Sequence, residues 1–247
     1  KKRQNLIMSN RKFRISAWKV GLPFLVLLLL SSCAEAPLPE GFAGVSRELA
    51  QARRDALGEV QYSLTFRVPE SSGEPPSGNV TIRFELKETT PLVVDFKAPR
   101  SNLKSVTSGG RPVEFEFQNG QIRIPGEALT EGVNFLEFSF ESSDLALNRR
   151  DDYLYTLFVP DRASTAFPCF DQPDLKAIYR LVLNLPAGWS AVSNGPAFDE
   201  LMEVGDRTVW RFDQTRTLST YQFAFAAGRF EISEDQARPI RDALAAY

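Results

Sequence analysis

An all-β domain of two packed, twisted and mostly antiparallel sheets, set behind a cleavable leader, is the fold class this sequence predicts. Apolar residues recur at every second position in five short segments, the period of a strand with one face in the core and one in water. Turn-forming dipeptides fall between those segments, and a long helical period is almost absent. Nineteen phenylalanines supply the bulky, rigid side chains of a sandwich core.

The leader comes first. Lys1, Lys2, Arg3, Arg11, Arg14 and Lys19 precede an apolar run from Val20 to Leu30, the order of charged and hydrophobic regions in an export signal. That run is about half of what a helix needs to cross a bilayer, so a permanent membrane span is the weaker reading. It ends in Leu30-Ser31-Ser32-Cys33, which resembles the bacterial lipobox, where small residues precede a cysteine that is lipidated and becomes the new N-terminus. Residues 1–33 are therefore expected to be a lipoprotein signal peptide, with Cys33 the lipid attachment site. The mature chain is expected to be exported and anchored to a bacterial membrane, facing the periplasm or the cell surface. Several acyl chains on one residue anchor durably where a single chain is marginal. The competing reading is an ordinary signal peptide with a chance cysteine; Met8 is an alternative start.

Residues 34–58 read as a tether or short helix, since Phe42, Val45, Leu49, Ala52 and Ala56 approximate one helical face among charges. From Glu59 the period becomes two. Strands are predicted at Val80–Leu86, around Val113, Phe115 and Phe117, at Leu136–Phe140, at Tyr179–Leu185, and around Tyr221, Phe223 and Phe225. Turns are predicted at Pro75–Asn79, Gly109-Gly110, Asn119-Gly120, Asn194-Gly195-Pro196 and Gly205-Asp206. Phe115–Ile124 reads as a hairpin, because Asn119-Gly120 supplies the positive φ values of a two-residue type I′ loop.

Composition narrows the function. The 247 residues, 43% hydrophobic, can bury one good-sized core. A formal net charge of −2 with interspersed signs leaves no basic stripe for phosphates, so nucleic acid is not an expected partner. Histidine is absent from the whole sequence, which removes the commonest neutral-pH base and zinc ligand. Cys33 and Cys169 lie in segments of different fate and define no disulfide framework; Cys169 reads as a small buried hydrophobe.

Asn148–Lys176 is the stretch least explained by strand pattern. Its prolines and aromatics specify a fixed loop. Asp171 and Asp174 could form a carboxylate pair for acid/base work or hard-metal ligation, or each could hold a turn through its own backbone. Ser164 and Cys169 have no histidine base, and nothing in the spacing favours pairing a serine with Lys176.

The run Ala166-Phe167-Pro168-Cys169-Phe170-Asp171-Gln172-Pro173-Asp174-Leu175-Lys176-Ala177, followed by Trp189 and Ser193-Asn194-Gly195-Pro196, resembles the N-terminal domain of the aminopeptidase N family of gluzincin zinc aminopeptidases. Phe223–Phe230 resembles that domain's closing strand, and Arg238-Pro239-Ile240-Arg241 its interdomain segment. The resemblance implies a saddle-like β-domain over residues 59–232, with Pro168, Cys169, Phe170, Asp171 and Pro173 as a structural loop motif. Residues 233–247 would begin the interdomain segment and be cut short there. It also implies a downstream thermolysin-like domain holding zinc on H-E-x-x-H, with a G-x-M-E-N strand for the peptide amine. Neither motif occurs in these 247 residues, so no catalytic residue, metal ligand or cofactor is expected here. The family's T-Q-x-E-P run, whose glutamate helps bind the substrate amine, falls on Thr156, Leu157, Phe158, Val159 and Pro160. Both polar positions are apolar here, at Leu157 and Val159, and a subfamily that binds the amine through its catalytic domain alone is the expected consequence.

The expected function is thus the N-terminal part of a membrane-anchored zinc aminopeptidase, inert alone. Its expected partners are the missing catalytic domain, peptide substrate through that domain, and the membrane through the lipid. The alternative is a stand-alone lipoprotein whose β-domain serves as a peptide- or protein-binding scaffold. The first reading demands a broad exposed apolar patch and the second a self-contained surface.

Overall fold

The computed structural model describes residues 44–198 and 202–231. Cys33, the leader and residues 233–247 lie outside these. In chain order the elements are α1 (Arg47–Ala56), β1 (Leu57–Arg67), β2 (Ser77–Leu86), β3 (Leu92–Asp95), β4 (Leu103–Ser108), β5 (Arg111–Pro112), β6 (Glu116–Gln118), β7 (Gln121–Ile124), β8 (Gly132–Glu141), β9 (Leu147–Arg150), β10 (Tyr153–Thr156), α2 (Ala163–Ala166), β11 (Ala177–Pro186), β12 (Ser190–Ser193), β13 (Met202–Val204), β14 (Arg207–Phe212) and β15 (Phe225–Gly228). An eight-stranded sheet runs β13-β14-β11-β1-β2-β8-β4-β5, a four-stranded sheet β12-β15-β10-β9, and a small sheet β3-β7-β6. Pairing is antiparallel except between β1 and β11. The expected all-β, mostly antiparallel architecture is present, and the small third sheet adds to the two foreseen.

The core follows from alternation. Tyr62, Leu64 and Phe66 on β1, Val80, Ile82 and Phe84 on β2, Leu136, Phe138 and Phe140 on β8, and Tyr179, Leu181 and Leu183 on β11 all point inward and are buried. Each such side chain contributes roughly 1.5–3 kcal/mol of apolar burial. Phe66 joins the layers: its ring lies 5.6 Å from Phe140 in the long sheet, 6.2 Å from Phe167 in the loop and 5.2 Å from Phe225 in the four-stranded sheet. Gly78 is needed inside β2 because a Cβ there would come within 2.5 Å of the Thr65 carbonyl oxygen.

Three predicted strands stand where expected, inside β2, β8 and β11. The Asn119-Gly120 hairpin also stands, with φ of 54° and 72°, joining β6 to β7. Elsewhere local chemistry overrode the period. The Val113 region is split: Arg111–Pro112 closes a hairpin on β4, and only Glu116–Gln118 pairs in the small sheet. Thr220–Gln222 forms a 3-10 turn, with the Ser219 N–H donating to Gln222 Oε1 at 3.2 Å, so the strand begins only at Phe225. The turn predicted at Pro75–Asn79 lies earlier, because β2 already begins at Ser77. The helix is real, but its buried side chain is Arg53, while Ala52 is exposed; Phe42 lies outside the described residues.

Candidate functional site

The loop after β10 is tied into the core by buried polar groups. The Asp171 carboxylate accepts from the Ser164 N–H at 2.9 Å and from the Thr220 hydroxyl at 2.7 Å, while the Asp171 N–H donates to Asp95 Oδ2 at 2.9 Å. Cys169 is fully buried and exchanges both backbone hydrogen bonds with Asp95, at 2.8 and 3.0 Å. The Phe170 N–H donates to the Tyr62 hydroxyl at 2.9 Å. Lys97, buried, extends its ammonium to Asp161 Oδ2 at 2.8 Å. Pro168 is buried and Pro173 exposed, with its carbonyl accepting from the Ser219 hydroxyl at 2.6 Å. The Pro-Cys-Phe-Asp motif is thus committed to holding the chain in place, and leaving any one of these buried polar groups unpaired would cost about 1–3 kcal/mol.

The chemical alternatives separate in space. Asp171 is buried whereas Asp174 is exposed, pairing with Arg54 at 2.7 Å and accepting from Gln172 at 3.0 Å. These two carboxylates are committed to different partners. Ser164 is fully buried and Lys176 exposed. Burial pushes the Cys169 thiol well above its ordinary range, the reverse of what a nucleophile needs.

Burial also raises the Tyr62 and Tyr179 hydroxyls well above the ordinary value of 10.0 and raises the Asp171 carboxyl above its own. For each, the folded value exceeds the unfolded one, so its contribution is full below the unfolded value and is lost as pH rises through the folded one, from the ordinary carboxyl range upward for Asp171 and from about pH 10 upward for the two tyrosines. Stability is therefore expected to fall steeply above about pH 10. In an absorbance titration of tyrosinate, two tyrosines should ionise only together with unfolding; independent ionisation of all of them in folded protein would contradict these burials.

The outer face of the four-stranded sheet has a different character. Pairing sets Val192, Ala226, Tyr155 and Asn148 side by side across its four strands. Tyr155 is 36% and Val192 48% exposed, and beyond the end of β10 Leu157 and Val159 are 54% and 59% exposed. Asn148 Nδ2 donates to the Tyr155 hydroxyl at 2.7 Å, and the Tyr153 ring stacks on Tyr155 at 6.1 Å. A depression of about 330 Å³ is lined by Tyr155, Val192, Ser193, Asn194 and Ala226. A groove of about 400 Å³ is lined by Asp144, Leu147, Arg149 and Leu157 among others. The Ser193-Asn194-Gly195-Pro196 motif braces the edge: Asn194 accepts from the Ala224 N–H at 2.6 Å and donates to the Gln222 carbonyl at 3.1 Å. A Cβ on Gly195 would collide with the Asp213 carbonyl oxygen.

Such a face can dock an apolar surface. Among the described residues no group of three or more histidine, cysteine, aspartate or glutamate side chains could hold a metal ion. The structure thus sets Tyr155 and Val192, which sequence reasoning did not single out, on one sheet face, with Leu157 and Val159 exposed just beyond β10. Their signal was present in Tyr153-Leu154-Tyr155, where apolar residues occupy both faces of a strand.

Residues 59–222 match the model of the peptidase M1 N-terminal domain. The chain is 30% identical over 202 residues to aminopeptidase N of Streptomyces lividans, covering 75% of this chain and 22% of that protein. It is 28% identical over 153 residues to the tricorn protease-interacting factor F2 of Thermoplasma acidophilum, covering 60% of this chain and 19% of that one. The chain therefore spans about a fifth of the length of these relatives. Its fold is similar to that in the crystal structure of an M1 zinc metallopeptidase from Deinococcus radiodurans, with a TM-score of 0.59 at 23% identity over 70% of this chain and 42% of that one.

Proposed function

The chain belongs to the peptidase M1 N-terminal domain family, and from that premise we propose that it is the non-catalytic N-terminal domain of a membrane-anchored zinc aminopeptidase. The observation that carries this reading is the run of exposed apolar side chains Tyr155, Leu157 and Val159 along and just beyond β10, with Val192 on the same sheet face as Tyr155. Exposed apolar surface of this kind marks a protein contact, and a catalytic domain continuing from the same polypeptide is the partner it fits. Zinc belongs to that domain: with no histidine in the sequence and no acidic or thiol cluster among the described residues, these side chains do not fit the metal. The lipobox-like Cys33 would hold the assembly at a bacterial membrane on its outward side. Peptide substrate would be bound through the catalytic domain, since Leu157 and Val159 supply no carboxylate for its amine.

The test is a comparison of two polypeptides on peptide substrates. This chain alone should release no amino acid and retain no stoichiometric zinc after dialysis. The chain joined to a following H-E-x-x-H domain should release N-terminal residues and lose that activity to a chelator. Turnover with bound zinc in the chain alone would overturn the proposal.

A further inference from the structure

We propose that the β13 edge of the eight-stranded sheet is a bilayer-contacting face that lays the domain against anionic lipid. This inference rests on the lipid anchor proposed above. Phe198, Met202 and Val204 are 52%, 41% and 56% exposed, an unusual concentration of large apolar side chains at one sheet edge. Pairing places all three on one face. Met202 lies beside Val209 and Val204 beside Arg207, while the Ala197–Phe212 bridge sets Phe198 beside Arg211. That is the outer face of the sheet, since the alternate residues Thr208 and Phe212 are buried beneath it.

Cations line the sheet on the inner side of this edge. Arg211 is exposed next to Val182, Arg180 is exposed on the same face of β11, and Arg67 is exposed beside Asn184. Arg207 is half-buried, bonded to the Val68 and Asn184 carbonyls. Among the described acidic residues, Asp206 and Asp213 stand at the two ends of β14, Glu203 points to the opposite face of β13, and Glu70 lies close enough to Arg207 to act on its charge. Apolar side chains flanked on one side by arginines suit a surface whose headgroups are phosphates and whose interior is hydrocarbon.

The anchor fixes the occupant. Thirteen residues separate Cys33 from Arg47, the first residue of α1, and such a segment reaches at most about 50 Å even fully extended. A chain lipidated at Cys33 therefore keeps its sheet within one tether length of the bilayer. At the high effective concentration that a short tether imposes, a patch of three apolar residues suffices for docking.

The experiment uses the full lipidated chain reconstituted in vesicles of phosphatidylethanolamine and phosphatidylglycerol with brominated acyl chains. Phe198→Trp places a reporter in the patch, and Phe135→Trp places a control on the same face, 43% exposed but five strands away, roughly 24 Å. The expected result is bromine quenching of the Phe198→Trp variant roughly twofold stronger than that of the control, since docked side chains sit about 5–10 Å deep. Adding Met202→Asp and Val204→Asp should abolish the difference, and high salt should weaken it. Equal quenching at both positions in chains that float with the vesicles overturns the docking face and leaves the anchor intact. Chains that neither carry acyl groups at Cys33 by mass nor float overturn both readings. Cross-linking of two copies through position 202, without quenching, assigns the edge to self-association and also overturns the proposal.

Discussion

Arg53→Ala is expected to destabilise the domain by about 3–5 kcal/mol, a large share of the 5–15 kcal/mol that holds a typical domain folded. The Arg53 guanidinium meets both oxygens of Asp95 at 2.8 Å, donates from Nε to the Val93 carbonyl at 3.1 Å and lies over the Phe170 ring at 5.4 Å. The side chains of the pair are 1% and 2% exposed. Removing the cation leaves a buried carboxylate with only the Asp171 N–H for company, and that uncompensated charge is the source of the loss. Arg53→Lys should fall between, because a single ammonium cannot serve two carboxylate oxygens and the Val93 carbonyl together. The neighbouring Arg54–Asp174 pair is a built-in contrast: its side chains are 53% and 42% exposed, so Asp174→Ala should cost under about 1 kcal/mol. Urea unfolding of the variants decides it. A loss below about 1 kcal/mol for Arg53→Ala would show that α1 is an appendage that can leave without disturbing the sandwich.

That arginine also marks where the sequence stops being legible. An apolar stripe at Val45, Leu49, Ala52 and Ala56 pointed to one helix face, yet the helix docks through a cation whose acceptor, Asp95, lies forty-two residues away. Nothing local to Arg53 announces a buried carboxylate on β3. Where the determinant was local, reading succeeded: Asn119 and Gly120 carry their own positive φ values, and the alternation in β2, β8 and β11 reports which face is dry. Where two local preferences competed, the period misled, as at Tyr221, where Ser219 and Gln222 wind a 3-10 turn ahead of the strand. The candidate site divides in the same way. Leu157 and Val159 were reached through their spacing to Cys169, but Val192 joins Tyr155 only through the register of β12 on β15 and of β15 on β10.

In the polypeptide that continues into a catalytic domain, Leu157→Asp together with Val192→Asp is expected to uncouple the two domains while leaving this one folded. Both side chains are about half exposed, 54% and 48%, so aspartate at either position is solvated when the domain stands alone and its melting temperature should hold. Once a partner covers the face, each substitution forfeits apolar burial of roughly 1.5–3 kcal/mol and buries a carboxylate without a counter-ion. Together that is at least about 3 kcal/mol, more than a hundredfold in the docking equilibrium. Peptidase activity should fall with it, and limited proteolysis should cut between the domains. Val133→Asp with Phe135→Asp is the matched control, because those residues are 45% and 43% exposed on β8 in the long sheet, away from the proposed contact. If the control disrupts the enzyme as strongly as the double variant at 157 and 192, the effect is not specific to the four-stranded face, and that face loses its claim to be the docking surface. The comparison turns on place alone, since both pairs exchange half-exposed apolar residues for the same charge.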